Sequence, residues 1–372
     1  MATVRILIDY RPALRERTGV GEYAHELAAA LSRQLTERDS LTLFSSSWKD
    51  RLSPGVIPGA RVVDARVPVT FLNLAWHRLE WPPAETFAGA VDVTHSLHPL
   101  LMPARDAARV VTVHDLYFLD SPERTGAEIR RDYPSLAGDH ARRADRVITI
   151  SEYTAGNITS RLGVPRDHIT VCLPGAPNWT RVDRYARDGP ILFMGTIEPR
   201  KNVGALVRAY ERLALRRATV PPLKLAGKVT PACSNILDDL RRPPLAGRVQ
   251  HVGYVSGSAR EALFREASMV VMPSFDEGFG LPALEAMTIG IPVVAARRGA
   301  LPEVVGDAGI LVDPEDDEAL ASAMERVLCA PEEAPRLSDL GVKRAGRFTW
   351  RESAGRLLEA YAQAIERRRT RS

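Results

Sequence analysis

Short branched-apolar runs alternate along the chain with longer stretches in which apolar positions recur at every third or fourth residue. Val4 to Ile8, Leu41 to Phe44, Arg61 to Val63, Val91 to Thr94, Val110 to Val113 and Val147 to Ile150 predict short strands. After the first of these, a glycine turn at 19 to 21 leads into Glu22 to Gln34, where Tyr23, Leu27, Ala30, Leu31 and Gln34 fall near helical spacing. Strands alternating with helices predict a mainly parallel sheet with helices on both faces.

The pattern is interrupted from Leu173-Pro174-Gly175 through Asp188-Gly189-Pro190 and then restarts. Ile191 to Met194, Leu223 to Ala226, Val249 to Val252, Met269 to Met272, Val293 to Ala296 and Ile310 to Val312 predict strands. Val203 to Arg217, Ser258 to Glu266 and Leu281 to Thr288 predict helices. The expected organisation is an α/β chain of two doubly wound domains, 1–173 and 191–349, joined by a hinge at 174–190. Trp350, Ala354, Leu357, Leu358, Tyr361 and Ile365 predict a terminal helix within 350–372, and the arginine-rich stretch from Glu366 to Ser372 is expected to fray into solvent.

Composition narrows the class. A length of 372 residues suits two cores, and 45% apolar with 26% charged residues excludes a disordered chain. Three cysteines, at 172, 233 and 329, make no disulfide framework and have no zinc-ligand spacing, so a reducing cytoplasmic setting is expected. The net charge of +4, from 50 basic and 46 acidic residues, is too small an excess to argue for nucleic acid. No continuous apolar window is long enough to span a bilayer, and Met1 to Asp9 reads as a first strand instead of an export signal.

Chemistry concentrates where strands are expected to give way to helices. In Pro273-Ser274-Phe275-Asp276-Glu277-Gly278-Phe279-Gly280-Leu281, glycines permit close backbone approach, and the amides of Phe279, Gly280 and Leu281 can meet a phosphate or sugar oxygen. Glu277 and Glu285 could grip sugar and ribose hydroxyls respectively, since a carboxylate accepts hydrogen bonds from neighbouring hydroxyls. Arg200 and Lys201, in Gly195-Thr196-Ile197-Glu198-Pro199-Arg200-Lys201-Asn202, could neutralise a diphosphate. Gly19 and Gly21, within Thr18 to Tyr23, suit a phosphate-facing turn. His114, just after a strand, could bond a sugar hydroxyl or hold a structural place. Taken singly, each is also what an ordinary loop or helix end contains.

Together these motifs resemble the retaining, nucleotide-sugar-dependent glycosyltransferases of GT-B architecture, specifically the glycogen-synthase-like family 4. The resemblance runs from about residue 4 to 365 and is carried most specifically by Asp276 to Glu285, Gly290-Ile291-Pro292-Val293-Val294 and Leu301-Pro302-Glu303-Val304. It implies two Rossmann-like domains facing a central cleft, with the last helix returning to the first domain. It also implies Glu277 beside the donor sugar, Glu285 on ribose, and Arg200, Lys201, Gly19 and Gly21 on the phosphates, with His114 facing the sugar. Many relatives carry arginine after the glycine matching Gly195, where this chain has Thr196, which makes Lys201 the firmer assignment of the two cations. The run from Gly195 to Asn202 and His251-Val252-Gly253-Tyr254-Val255 look most like bacterial enzymes that use GDP-mannose to build polysaccharide.

The chain contains no Asp-x-Asp, so no dedicated metal site and no permanently bound cofactor is expected; the nucleotide sugar is a substrate. Retention follows from the resemblance alone. A nucleotide-sugar epimerase, a glycan phosphorylase and a non-enzymatic nucleotide-sugar-binding protein remain alternatives on the same frame. The acceptor is expected to be a saccharide or lipid-linked saccharide, with peripheral contact at the inner face of the membrane. In Phe71 to Trp81, the residues Leu72, Ala75, Trp76 and Leu79 share one helical face that could meet lipid or the core. Arginines at 124, 130, 131, 142, 143 and 146 add anion attraction, interrupted by Glu123, Glu128, Asp132, Asp139 and Asp145.

Overall fold

The computed structural model describes residues 3–14, 17, 19–122, 127–183 and 185–371; Thr18, Glu123, Arg124 and Ser372 lie outside them. The chain divides into two compact units, Met1–Gly175 with Thr349–Ser372, and Ala176–Phe348.

The first unit runs β1 (Arg5–Asp9), α1 (Gly19–Ser32), β2 (Ser40–Ser45), β3 (Arg61–Asp64), α2 (Val69–Leu74), α3 (Glu85–Ala88), β4 (Val93–Ser96), β5 (Ala108–Val113), α4 (Tyr117–Asp120), α5 (Ala127–Arg143), β6 (Arg146–Thr149), α6 (Glu152–Leu162) and β7 (Ile169–Val171). Its sheet has the order β3-β2-β1-β4-β5-β6-β7, and every recorded pairing is parallel. Ile6, Leu7 and Ile8 are all fully buried, which is why the strand reads as a continuous apolar run: helices cover both faces. The strand order reverses between β1 and β4, so their carboxyl ends form a topological switch point.

Two local differences from the sequence reading have simple causes. Helix α1 starts at Gly19, three residues earlier than its apolar period suggests, and ends at Ser32. Gly21 permits this, because a Cβ there would stand 2.8 Å from the Pro12 carbonyl oxygen. Strand β7 is an additional short element whose Ile169 and Val171 fill the core beside Val147, Ile158 and Leu162.

The second unit runs β8 (Ile191–Met194), α7 (Val203–Arg216), β9 (Leu223–Ala226), α8 (Ile236–Asp239), β10 (Val249–Gly253), α9 (Gly257–Glu266), β11 (Met269–Met272), α10 (Leu281–Thr288), β12 (Val293–Ala296), α11 (Leu301–Val305), β13 (Ile310–Val312), α12 (Asp317–Cys329) and α13 (Glu333–Ala345). Its parallel sheet has the order β10-β9-β8-β11-β12-β13 and reverses between β8 and β11. Leu206, Tyr210 and Leu213 of α7 join Leu320, Met324 and Val327 of α12 in one buried cluster. Helix α12 opens on Asp316, whose carboxylate accepts from the Ala319 amide. Within the stretch expected as a joint, Ala176 N–H donates to Phe348 O, Val182 N–H to Ile289 O and the Tyr185 hydroxyl to Ser268 O, at 2.9, 3.1 and 2.6 Å. These bonds tie Ala176, Val182 and Tyr185 into the second unit.

Helix α14 (Trp350–Arg371) packs within the first unit, where the buried Tyr361 hydroxyl lies 2.7 Å from His95 Nδ1. The tail expected to fray instead stays helical to Arg371. Arg368 donates to the Arg105 carbonyl at 2.8 Å and Arg367 contacts His168, so tertiary contacts hold the last turns. A second correction concerns the supposed single face of Leu72, Ala75, Trp76 and Leu79. Leu72 and Trp76 are buried, whereas Leu79 is 71% exposed, because a π-helical turn over Ala75–Leu79 changes the angular step. Among the described residues, no helix is long and apolar enough to cross a membrane.

Candidate functional site

The carboxyl ends of β8 and β11 place two loops side by side at the second unit's switch point. The loops are stitched together: Phe275 N–H donates to Arg200 O at 2.9 Å, and the Asn202 amide donates to Pro273 O at 3.1 Å and to Pro314 O at 2.8 Å. Asn202 takes a left-handed conformation (φ 51°) at the join between the loop and α7, a geometry asparagine tolerates better than most residues.

Glu277 and Lys201, 76 residues apart, meet here. Lys201 Nζ lies 2.6 and 2.7 Å from the two carboxylate oxygens of Glu277, and the Ser274 hydroxyl donates to the nearer one at 2.7 Å. Arg200 stands 3.9 Å from the same carboxylate, and its guanidinium is held by Glu198 at 2.9 and 3.1 Å. Burial alone would push the Glu277 carboxyl up. The charges of Lys201 and Arg200, with hydrogen bonds from Lys201 and Ser274, outweigh that cost and hold it below the ordinary carboxylate range. The result is a buried, ionised carboxylate with the Lys201 ammonium seated on it.

The Glu277 backbone is fixed by the loop after β12. Its carbonyl accepts from Ala300 N–H at 2.9 Å, and Gly299 (φ 61°) passes so close that a Cβ would sit 2.6 Å from the Glu277 nitrogen. Helix α10 begins on Gly280 (φ 109°), where no side chain caps the first turn. Phe279 is buried edge-on to Phe348, and Leu281 and Pro282 open the helix, so the turn is rigid with its amides directed along the axis.

Glu285, one turn further on, is buried and engaged. Arg260 on α9 forks onto it with Nε and Nη2 at 2.9 and 2.6 Å, and the same guanidinium lies over the Phe264 ring. Sequence reading missed Ser274, Gly299 and Arg260. Ser274 stood inside the recognised segment, but nothing in the spacing marks Arg260, which reaches Glu285 from another helix. Lys228 lies over the Tyr254 ring at 5.2 Å where β9 and β10 end.

Gly19, Gly21 and His114 belong to the first unit and take part in a different set of strand-end contacts. His114 follows β5 and bonds through Nε2 to the Leu97 carbonyl at 3.2 Å, with Tyr23 edge-on at 5.1 Å. Burial pulls its pKa down to about 4, so the ring is neutral near pH 7. A carbonyl only accepts, so Nε2 carries the hydrogen and Nδ1 is the lone-pair nitrogen. Among the described residues, no group of three or more His, Cys, Asp and Glu side chains could hold a metal ion.

Two parallel doubly wound sheets, one in each unit, are the sheet arrangement of the GT-B architecture. Residues 17–177 match the family model described as Glycosyltransferase Family 4, and residues 189–330 match that of Glycosyl transferases group 1. The chain is 30% identical to a glycogen synthase of Mycobacterium tuberculosis over 93% of this chain and 91% of that one. It is 28% identical to O-antigen chain mannosyltransferase B of Escherichia coli, over 96% and 99% of the two chains. The fold matches sucrose-phosphate synthase from Thermosynechococcus elongatus at a TM-score of 0.76 and 21% identity, covering 98% of this chain and 99% of that one. The chain belongs to glycosyltransferase family 4, the glycogen-synthase-like group, and is a nucleotide-sugar-dependent hexosyltransferase acting on a saccharide or glycolipid acceptor.

Proposed function

We propose that the chain transfers mannose from GDP-mannose, with retention at the anomeric carbon, to a saccharide or lipid-linked saccharide in polysaccharide biosynthesis. The observation that carries the sugar assignment is the end-to-end similarity to a protein named as an O-antigen chain mannosyltransferase. A second relative, 33% identical over 61% of this chain and 56% of its own length, is likewise named as a mannosyltransferase. The Lys201–Glu277 pair supports the chemistry.

In this reading the bond from the anomeric carbon to the diphosphate oxygen breaks as the acceptor oxygen bonds on the same face. The acceptor proton passes to the departing phosphate oxygen. Lys201, with Arg200 and the amides of Phe279, Gly280 and Leu281, neutralises the diphosphate as charge accumulates on it. Drawing Lys201 toward the phosphates leaves the ionised Glu277 to orient the sugar and stabilise its positive character. Glu285, held flat by Arg260, accepts the ribose hydroxyls with its remaining lone pairs.

The test is a panel of nucleotide sugars incubated with the chain, with and without a bacterial membrane extract, with products followed by mass spectrometry. The expected result is a hexose added to an extract component with GDP-mannose as the preferred donor. Preference for a UDP-sugar overturns the donor assignment. A product formed without acceptor would favour epimerisation, and dependence on inorganic phosphate would favour phosphorolysis.

A further inference from the structure

Helix α10 carries a single charged residue, Glu285, and buries it: only 8% of the residue is exposed. A buried carboxylate persists where a cation and hydrogen bonds compensate its lost hydration. Arg260 does this from α9 with two parallel donors, Nε at 2.9 Å from one oxygen and Nη2 at 2.6 Å from the other. A lysine would supply the same charge. What the fork adds is a fixed plane and a fixed direction for the carboxylate.

The guanidinium is itself mounted. Phe264 stands four residues after Arg260 on the same face of α9, fully buried, with the guanidinium carbon 5.7 Å from its ring centroid. Trp179 packs against Phe264 in turn, the ring centroids 5.6 Å apart, and Arg265 donates to the Thr180 carbonyl at 3.1 Å. Residues 179 and 180, helix α9 and the carboxylate on α10 thus form one packed series inside the second unit.

Position gives this series a use. Glu285 lies four residues past Leu281, about 6 Å along the axis from the helix start whose amides face the proposed diphosphate. In a nucleoside diphosphate the ribose is the group next to the phosphates, and its hydroxyls are donors that a carboxylate accepts along its lone pairs. A carboxylate that rotates meets them part of the time; one held in a plane is already oriented when the nucleotide arrives.

We propose that Arg260 is the positioning residue at the ribose end of the donor site: by locking the Glu285 carboxylate it makes the chain discriminate ribonucleotides from 2′-deoxyribonucleotides, without acting on the transferred sugar. The inference rests on the reading of Glu285 as the ribose acceptor and adds the residue that sets its selectivity. A pair whose only task was to hold α9 on α10 would be indifferent to the 2′-hydroxyl.

Calorimetry of the full chain with GDP and with UDP, each against its 2′-deoxy counterpart, tests it. The wild type is expected to bind the ribonucleotide about tenfold more tightly than the 2′-deoxy form. Arg260→Lys, which keeps the charge and removes the fork, should cut that preference to about threefold or less, and Arg260→Leu should abolish it. Both should weaken the ribonucleotide and leave affinity for the 2′-deoxy form within about twofold. The donor KM should rise about tenfold in Arg260→Leu while kcat falls by no more than about twofold. Glu285→Gln keeps the two possible failures apart. If it erases the preference and Arg260→Lys leaves it undiminished, the ribose reading stands and positioning by Arg260 is overturned. If the wild type binds both forms equally, or Glu285→Gln keeps the preference, the ribose reading itself falls and takes this inference with it. Should Arg260→Leu fail to fold, Arg260→Lys alone decides.

Discussion

Both sheets place an acid and a cation at their switch points, and the two pairs are built differently. In the first unit Asp9, the last residue of β1, is fully buried and forked by Arg11 two residues later at 2.8 and 2.6 Å. His98, just beyond β4, adds a contact at 3.1 Å, and Arg11 continues to Asn73. Burial opposes the Asp9 charge, but Arg11 and His98 outweigh it and hold the carboxyl far below its usual range. In the second unit the partners come from different strands and the cation is a lysine. A planar fork from the neighbouring residue saturates a carboxylate and locks a chain turn. A point charge on a flexible stem, delivered from another loop, can leave its carboxylate when a phosphate competes for it. One topological position thus supports structure in the first sheet and, on our reading, chemistry in the second.

The harshest test of that contrast is Asp9→Ala, which leaves the largely buried Arg11 guanidinium with Asn73 but without its carboxylate. It should destabilise the first unit by about 3–5 kcal/mol, read as amide exchange of β1 and β4. A loss below about 1 kcal/mol would show that the pair is not the lock described. Lys201→Ala should lower single-turnover transfer by a hundredfold or more, about 3 kcal/mol, and weaken nucleoside diphosphate binding, while destabilising the second unit less than Asp9→Ala destabilises the first, because Ser274 and Arg200 still face Glu277. If unfolding is affected and transfer is not, the assignments of the two pairs are reversed.

Acid should also separate the units. Burial pulls His77 and His95, both in the first unit, down to about 3. The unfolded chain binds their protons below about pH 6.5 while the folded one does not, so the stability they leave intact at neutral pH is lost as pH falls from about 6.5 toward 3. At pH 5 the loss is about 2 kcal/mol for each. Exchange at pH 7 and pH 5 should show the first unit loosening more than the second; equal loosening would contradict this account.

The smallest expected effect is the most informative about mechanism. Glu277→Gln keeps the side-chain volume and should lower single-turnover transfer by about tenfold, near 1.4 kcal/mol, with a lesser change in donor affinity. Wild-type transfer at saturating donor and acceptor would remove Glu277 from the electrostatic role.

What the chain's own pattern determined is the set of strands buried on both faces. Ile191–Met194, Met269–Met272 and Val293–Ala296 have the bounds expected, because a strand with helices on either side must be apolar at every position. The motif around Glu277 was equally legible, since glycine, proline and acid at a strand-to-helix turn are local requirements. Helix ends were less so: α1 depends on the distant Pro12 carbonyl, and the last turns of α14 on Arg105 and His168. Tertiary structure alone decided the pairings that span the chain. Lys201 reaches Glu277 across 76 residues, Arg260 reaches Glu285 from another helix, and Leu79 faces solvent while Trp76, three positions earlier, is buried. Sequence periodicity records which residues must avoid water, a property of one residue and its neighbours. A charge pair or an outward face is a property of where two separate segments come to lie, and only the folded sheet order brings those segments together.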